Sequence, residues 1–155
     1  MRQDYEDKVM KHYTRVAQES GLSASCTMED EYIREGESRA ILRLIELAAK
    51  SAAASLRVLD VGCGNGYTLR TLAERIRDGG LSGSIELLGI EKNHELRQLA
   101  SKMNEGLPVT IAEGDILRAE TLGVSQASVD VCLSQRVIIN LMDPADQKTA
   151  LANLM

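Results

Sequence analysis

The nine residues Val58 to Gly66, VLDVGCGNG, constrain this chain more than any other stretch, because they combine a buried strand, an acidic strand end and a turn with three glycines. The apolar run ends in that turn, and Leu69, Leu72, Ala73 and Ile76 then recur at helical spacing, which makes one β-α step. The step repeats. Gly79-Gly80 and Gly83 break the helix, Ile85 to Ile90 forms a second apolar run, and Leu96, Leu99, Ala100 and Met103 trace a second helical face. Pro108 to Ala112 reads as a third strand, Arg118 to Leu122 as a brief helix and Val129 to Leu133 as a fourth strand. Near-continuous apolar strands alternating with amphipathic helices predict an α/β fold, with a parallel sheet covered on both faces and right-handed crossovers.

Upstream, Ile41, Leu42, Ile45, Ala48, Ala49 and Ala52 mark a helix that ends in the alanine run Ala52 to Ala54. A charged segment before it is also helical, from Tyr5 to Gln18. The small polar stretch Ser20 to Thr27 reads as a mobile hinge between the two. Both helices precede the sheet and are placed to cap one side of its ligand crevice. A length of 155 residues with 44% hydrophobic content suits a single domain with one core.

Charge and cysteine content exclude several function classes. The 18 basic and 23 acidic residues give a net charge of −5 and no basic stripe, which disfavours nucleic acid as a partner. No apolar run approaches the roughly 18 to 20 residues needed to span a bilayer, and the N-terminus is charged from Arg2 onward, so no membrane partner and a cytoplasmic location are expected. Cys26, Cys63 and Cys132 are odd in number and far apart, without C-x-x-C spacing or a nearby His, and suggest neither a disulfide framework nor a metal site.

The glycine turn carries chemistry. In a doubly wound sheet, ligands lie beyond the carboxyl ends of the strands at the point where strand order reverses, and the first β-α turn lies there. The spacing is G-x-G-x-G rather than the G-x-G-x-x-G of dinucleotide sites, and Asp60 sits two residues before the first glycine. A carboxylate at that point repels a pyrophosphate and attracts an ammonium group. It therefore disfavours NAD and favours a positively charged cofactor, such as a sulfonium with an amino acid tail. Glu91 ends the second strand, where a carboxylate accepts both hydroxyls of a ribose. After the third strand, Asp115 and Ile116 place an acid and an apolar side chain where an adenine is bonded at its amino edge and packed on its face. One acidic strand end alone is as readily a solvated turn residue; three on one sheet edge point to a site.

VLDVGCGNG, LLGIEKN, AEGDIL and VDVCLSQRVIINLMD together resemble the S-adenosylmethionine-dependent methyltransferases of the Rossmann-like class, over a stretch from about Arg34 to the end of the chain. The resemblance implies S-adenosylmethionine as cofactor, a small molecule as methyl acceptor, and strand order 3-2-1-4 for the four strands present. It places Gly62, Cys63, Gly64 and Gly66 beside the methionine moiety, Asp60 on the cofactor directly or through water, and Glu91 on the ribose. It also places Asp115 on the adenine amino group, Ile116 on the ring, and the backbone carbonyl of Ser134 on the cofactor ammonium. Residues 24–39, with Thr27-Met28 and Arg34-Glu35, look similar to the cap segment of small-molecule members. Arg34 then either faces the cofactor carboxylate or, the favoured reading, makes a surface salt bridge.

The family's sheet continues beyond four strands, whereas this chain ends at Met155 in the helix after the fourth. The expectation is a helical cap segment over residues 1–50 and a C-terminally truncated cofactor-binding half-domain over 51–155. It leaves two functions open: an enzyme methylating a small molecule, or a cofactor-binding module without turnover that acts through a partner or self-association. The fourth strand is then a sheet edge, and a homo-oligomer through it is expected. No general base stands out. His12 and His94 read as solvated, Tyr5, Tyr13 and Tyr32 as packing residues or pocket walls, and Gln135, Arg136 and Asn140, which follow the fourth strand close to where the methyl group emerges, either as residues of that site or, the favoured reading, as capping and surface hydrogen-bonding groups. Asp143-Pro144 reads as an N-cap followed by proline at the first helical position.

Overall fold

In a computed structural model, which describes residues 2–26, 30–50, 55–79 and 84–155, the strands and helices alternate as the apolar periodicity requires. Two helices, α1 (Arg2–Ser20) and α2 (Glu31–Ala49), precede β1 (Ser55–Val61). There follow α3 (Tyr67–Gly79), β2 (Ser84–Glu91), α4 (His94–Met103), β3 (Val109–Glu113), β4 (Val131–Leu133) and α5 (Pro144–Leu154). The four strands form one sheet in the order β3-β2-β1-β4, every pair parallel. A parallel return needs a crossover, and α3 and α4 supply the first two. Because β2 lies on one side of β1 and β4 on the other, the chain reverses direction across the sheet at β1, and a crevice opens above the carboxyl ends of β1 and β4.

Both faces of the sheet are covered, which explains why its central strands read as unbroken apolar runs. Leu56, Val58 and Leu87 share one cluster with Ile41 and Ile45 of α2, Leu69 and Leu72 of α3, and Ala100 of α4. Leu59, Val61 and Ile90 pack on the other face with Ile116, Leu122 and Ala150 of α5. A smaller cluster joins Ala17 of α1 to Leu96 of α4 and Cys26. Asn93 ties these parts together. Its Oδ1 accepts from the Leu96 amide at 3.0 Å as the N-cap of α4, while its Nδ2 donates to the Thr14 hydroxyl of α1 at 3.0 Å.

The helix α2 starts at Glu31, capped by Asp30, whose side chain accepts from the Ile33 amide at 3.0 Å, ten residues before its apolar marker Ile41. Its first half buries Arg34 and Ser38 instead of aliphatic side chains, so apolar periodicity does not mark it. The run Ala52 to Ala54 lies outside the described residues. The strand β4 begins at Val131 rather than Val129, and just before it the Asp130 amide bonds the Arg57 carbonyl of β1 at 2.9 Å. The brief helix is a single 3₁₀ turn, Ala119–Thr121. Through Cys26, the stretch read as a hinge is turned and tethered, since Asn65 Nδ2 donates to the carbonyls of Gly21 and Ser23 at 3.2 and 3.0 Å; Thr27 is not described. Asp143 caps α5 by accepting from the Ala145 amide, with Pro144 in its first turn. The three cysteines are free. No helix among the described residues is long and apolar enough to cross a membrane.

Candidate functional site

The crevice above β1 and β4 is walled by the ends of β1, β2 and β3, by the segment after β4, and by α1 and α2. Its floor is the glycine turn. The amides of Gly62 and Cys63 both donate to the Ile90 carbonyl, at 2.7 and 3.1 Å, which folds the turn back over β2. At Gly62, φ is 81° and a Cβ would lie 2.1 Å from a methyl carbon of Val137, so any side chain there is strained and displaces Val137 of the crevice wall.

Glu91 is 8% exposed and braces this floor. Its Oε2 accepts from the Gly64 amide at 2.9 Å and its Oε1 from the Asn93 amide at 2.7 Å. Each oxygen keeps a second lone pair for an incoming hydroxyl. Burial pushes its pKa up, and the amides that bond it oppose the rise. Asp60 lies deeper, at 2% exposure, and its Oδ1 has no hydrogen-bond partner among the described residues. Burial, with Glu91 adding like charge, raises its pKa to about 7, while Arg136 and Arg34 act against the rise. Asp115 differs. Burial acts to raise it, but the Lys92 ammonium at 2.8 Å and the Leu117 amide on its Oδ1 at 3.0 Å hold it below the ordinary carboxylate value. Ile116 is buried beside it.

Seven of the nine expected site residues therefore meet in one crevice: Asp60, Gly62, Cys63, Gly64, Glu91, Asp115 and Ile116. Gly66 and Ser134 are not among its lining residues. Gly66 is held by packing, since a Cβ would stand 2.9 Å from the Ala100 Cα, and its carbonyl accepts from Asn104 Nδ2 at 3.1 Å. Ser134 is half-buried, its hydroxyl enclosed without a hydrogen-bond partner, and Gln135, Arg136 and Val137 form the wall in its place. Cys63 fills space beneath the turn, and burial pushes its thiol far up, which keeps it neutral.

The cap side corrects several readings. Arg34 is not at the surface: it is 4% exposed, donates to the Ala24 carbonyl, lies 4.7 Å from the Tyr67 ring centroid and lines the crevice. Gln135 and Arg136 are not surface groups either. Gln135 accepts from the Thr68 hydroxyl at 3.1 Å and donates to Glu37 at 3.1 Å, and Arg136 donates to both Glu37 oxygens, at 2.8 and 2.7 Å. Asn140 does cap, bonding the Arg136 carbonyl at 2.9 Å, but it also reaches the Tyr13 hydroxyl at 2.9 Å. Tyr13 lines the crevice, whereas Tyr32 is 92% exposed and lines nothing. His12 and His94 are exposed. Thr27 and Met28 lie outside the described residues. Sequence reasoning missed Glu37 altogether. The signal was present: Arg34, Ser38, Ile41 and Ile45 lie at helical spacing, so the buried stripe of α2 continues toward its N-terminus with polar residues.

The arrangement suits a ligand with a cationic group near Asp60, a diol near Glu91 and a flat, amino-bearing ring between Asp115 and Ile116. A family described as "Methyltransferase domain" matches residues 58–155. A curated relative, an uncharacterised 37.1 kDa protein in transposon TN4556 of Streptomyces fradiae, is 33% identical over 102 residues, which are 65% of this chain and 27% of that protein. Among solved structures, SAM-bound CalS10, an amino pentose methyltransferase from Micromonospora echinaspora, superposes with a TM-score of 0.57 at 24% identity, covering 77% of this chain and 44% of that one. The N-methyltransferase NodS from Bradyrhizobium japonicum WM9, in complex with S-adenosyl-L-homocysteine, gives 0.60 at 20% identity, covering 91% and 64%. At these identities the two structures share the fold. The chain spans about a quarter of the length of the curated relative.

Proposed function

The chain belongs to the methyltransferase-domain family, and from that premise we propose that it binds S-adenosylmethionine in this crevice and transfers the cofactor's methyl group to a small-molecule acceptor. The observation that carries the reading is the row of three carboxylates at the carboxyl ends of β1, β2 and β3, the deepest of which has an oxygen without an internal partner. Bound there, the cofactor supplies an electrophilic methyl on a sulfonium. The chain's own residues orient it. Asp60 takes the ammonium of the amino acid tail directly or through water, and Glu91, already fixed by two amides, accepts the ribose hydroxyls. Asp115, kept ionised by Lys92, accepts from the adenine amino group while Ile116 packs on the ring. Gly62, Cys63, Gly64 and Gly66 shape the turn beside the methionine moiety, and Gln135 and Arg136 form the opposite wall.

A small acceptor is supported by the wall that α1 contributes over the crevice, where Val9, Met10 and Tyr13 face Leu141 and Asn140. It is also supported by the amino-sugar and N-methyl activities stated for the two structural relatives. No histidine lines the crevice among the described residues, so the rate rests on holding the acceptor in line with the methyl rather than on an imidazole base. Asp60 lies where a pyrophosphate would pass, which disfavours NAD.

Thermal unfolding tests the reading. S-adenosylhomocysteine at saturating concentration is expected to raise the melting temperature by several degrees, and NAD to leave it unchanged. No shift with S-adenosylmethionine or S-adenosylhomocysteine rejects the cofactor. Demethylated product formed with an amine-bearing acceptor then establishes an enzyme, and binding without product leaves a cofactor-binding module.

A further inference from the structure

Arg136 leaves β4 with its backbone in the left-handed region, at a φ of 60°, a conformation that surrounding contacts must impose on a non-glycine residue. Those contacts come from both cap helices. Glu37 of α2 receives Arg136 Nη1 on both carboxylate oxygens and Gln135 Nε2 on one of them. Asn140, bonded to the Tyr13 hydroxyl of α1, holds the Arg136 carbonyl. The guanidinium nevertheless lines the crevice, and its charge reaches Asp60. Glu37 thus holds an arginine whose charge also acts on the deepest acid of the site.

We propose that Glu37 is a positioning residue: by engaging Arg136 it keeps that guanidinium off Asp60 and leaves the Asp60 carboxylate to pair with a cationic group entering the crevice. The proposal rests on the cofactor reading for the identity of that group. A half-buried guanidinium stripped of Glu37 would need another carboxylate. Asp60 is at hand, with one oxygen unpartnered. The resulting internal ion pair would compete with the ligand's ammonium.

The groups that act electrically on Asp60 are Glu91 of β2, Arg34 of α2 and Arg136, and Asp60 in turn acts on the thiols of Cys63 and Cys132. Variants at Glu37 alter the Arg136 contribution. The test pairs carboxyl NMR titration of Asp60 in the ligand-free protein with calorimetric binding of S-adenosylhomocysteine at about pH 8, for wild type, E37Q, E37D and E37Q/R136M. In E37Q the Asp60 midpoint is expected to fall from about 7 by about one pH unit, and affinity to fall about fivefold or more. E37D should stay near wild type, and E37Q/R136M should recover the affinity, with an Asp60 midpoint above the wild-type value because the Arg136 charge is gone.

An E37Q protein with unchanged midpoint and affinity overturns the proposal. So does a double variant as weak as E37Q, because the loss would then come from loosening α2. Should E37Q fail to fold, R136M decides. A higher Asp60 midpoint with retained affinity supports the proposal, and lost affinity overturns it. If wild type does not bind S-adenosylhomocysteine while E37Q still lowers the Asp60 midpoint, the cofactor reading fails and the Glu37 role stands.

Discussion

Asp60 sets function against stability at a single residue. Its pKa is 3.8 in an unfolded chain and about 7 in the folded one, so between those values the folded state holds a proton that the unfolded state has released. Stability from this group is therefore full below about pH 4, declines as pH rises to about 7 and is flat above, a span worth about 4 kcal/mol at most. Asp60→Asn removes the ionisation. The variant should match wild type near pH 4 in urea unfolding and exceed it by up to about 4 kcal/mol at pH 8, while binding of S-adenosylhomocysteine weakens at least tenfold for loss of a charge-assisted bond. Equal stability at both pH values would show that Asp60 is not strained by burial. Gly66 makes a separate case. With φ at 78° and Ala100 backbone in the way of a Cβ, Gly66→Ala should cost about 2 to 3 kcal/mol, whereas Gly106→Ala, at φ 79° with nothing nearby, should cost about 1 kcal/mol. Equal losses in denaturant unfolding would mean that packing against α4 does not matter at Gly66.

What the sequence discloses depends on whether an element's signals are local. The strands β1, β2 and β3 and their acidic ends lie within about two residues of where apolar runs and glycines place them, because burial on both faces writes itself directly into the chain. The crevice floor was legible for the same reason. The cap was not. Arg34 and Glu37 acquire their roles from Tyr67, Gln135 and Arg136, which approach from distant parts of the chain, and a polar half-helix facing a crevice has the composition of one facing water. Strand β4 illustrates the opposite error, an apolar run longer than the strand it forms, since Val129 packs against the buried cluster on one face of the sheet without joining the ladder. As the outer strand among the described residues, β4 presents a ladder face of three residues, with Cys132 exposed. Such an edge is short for a template, so weak, concentration-dependent self-association is expected by sedimentation, and Cys132→Lys should abolish it without lowering the melting temperature. A monomer at every concentration would remove this edge as an interface.

At the scale of the molecule, the crevice couples ligand, proton and fold. Its two deepest acids, Asp60 and Glu91, are both pushed up by burial, and Asp60, raised to about 7, is partly protonated near neutrality in the ligand-free protein. Where Asp60 takes the ligand ammonium as proposed, it must be ionised, and binding then releases a proton wherever the free protein holds one there. Affinity for S-adenosylhomocysteine should rise about tenfold per pH unit as pH approaches 7 from below, then level off. The ligand-induced rise in melting temperature should follow the same curve, so that the ligand stabilises most where the free protein has lost the contribution of protonated Asp60. In Asp60→Asn the slope should vanish while the residual binding, carried by Glu91, Asp115 and Ile116, remains. Calorimetry from pH 5.5 to 8.5, repeated in buffers of different ionisation enthalpy to count the protons released, checks both statements. A flat profile in wild type would mean that the cation meets some group other than Asp60, and the assignment of the crevice's deep end would have to be redrawn around the wall after β4.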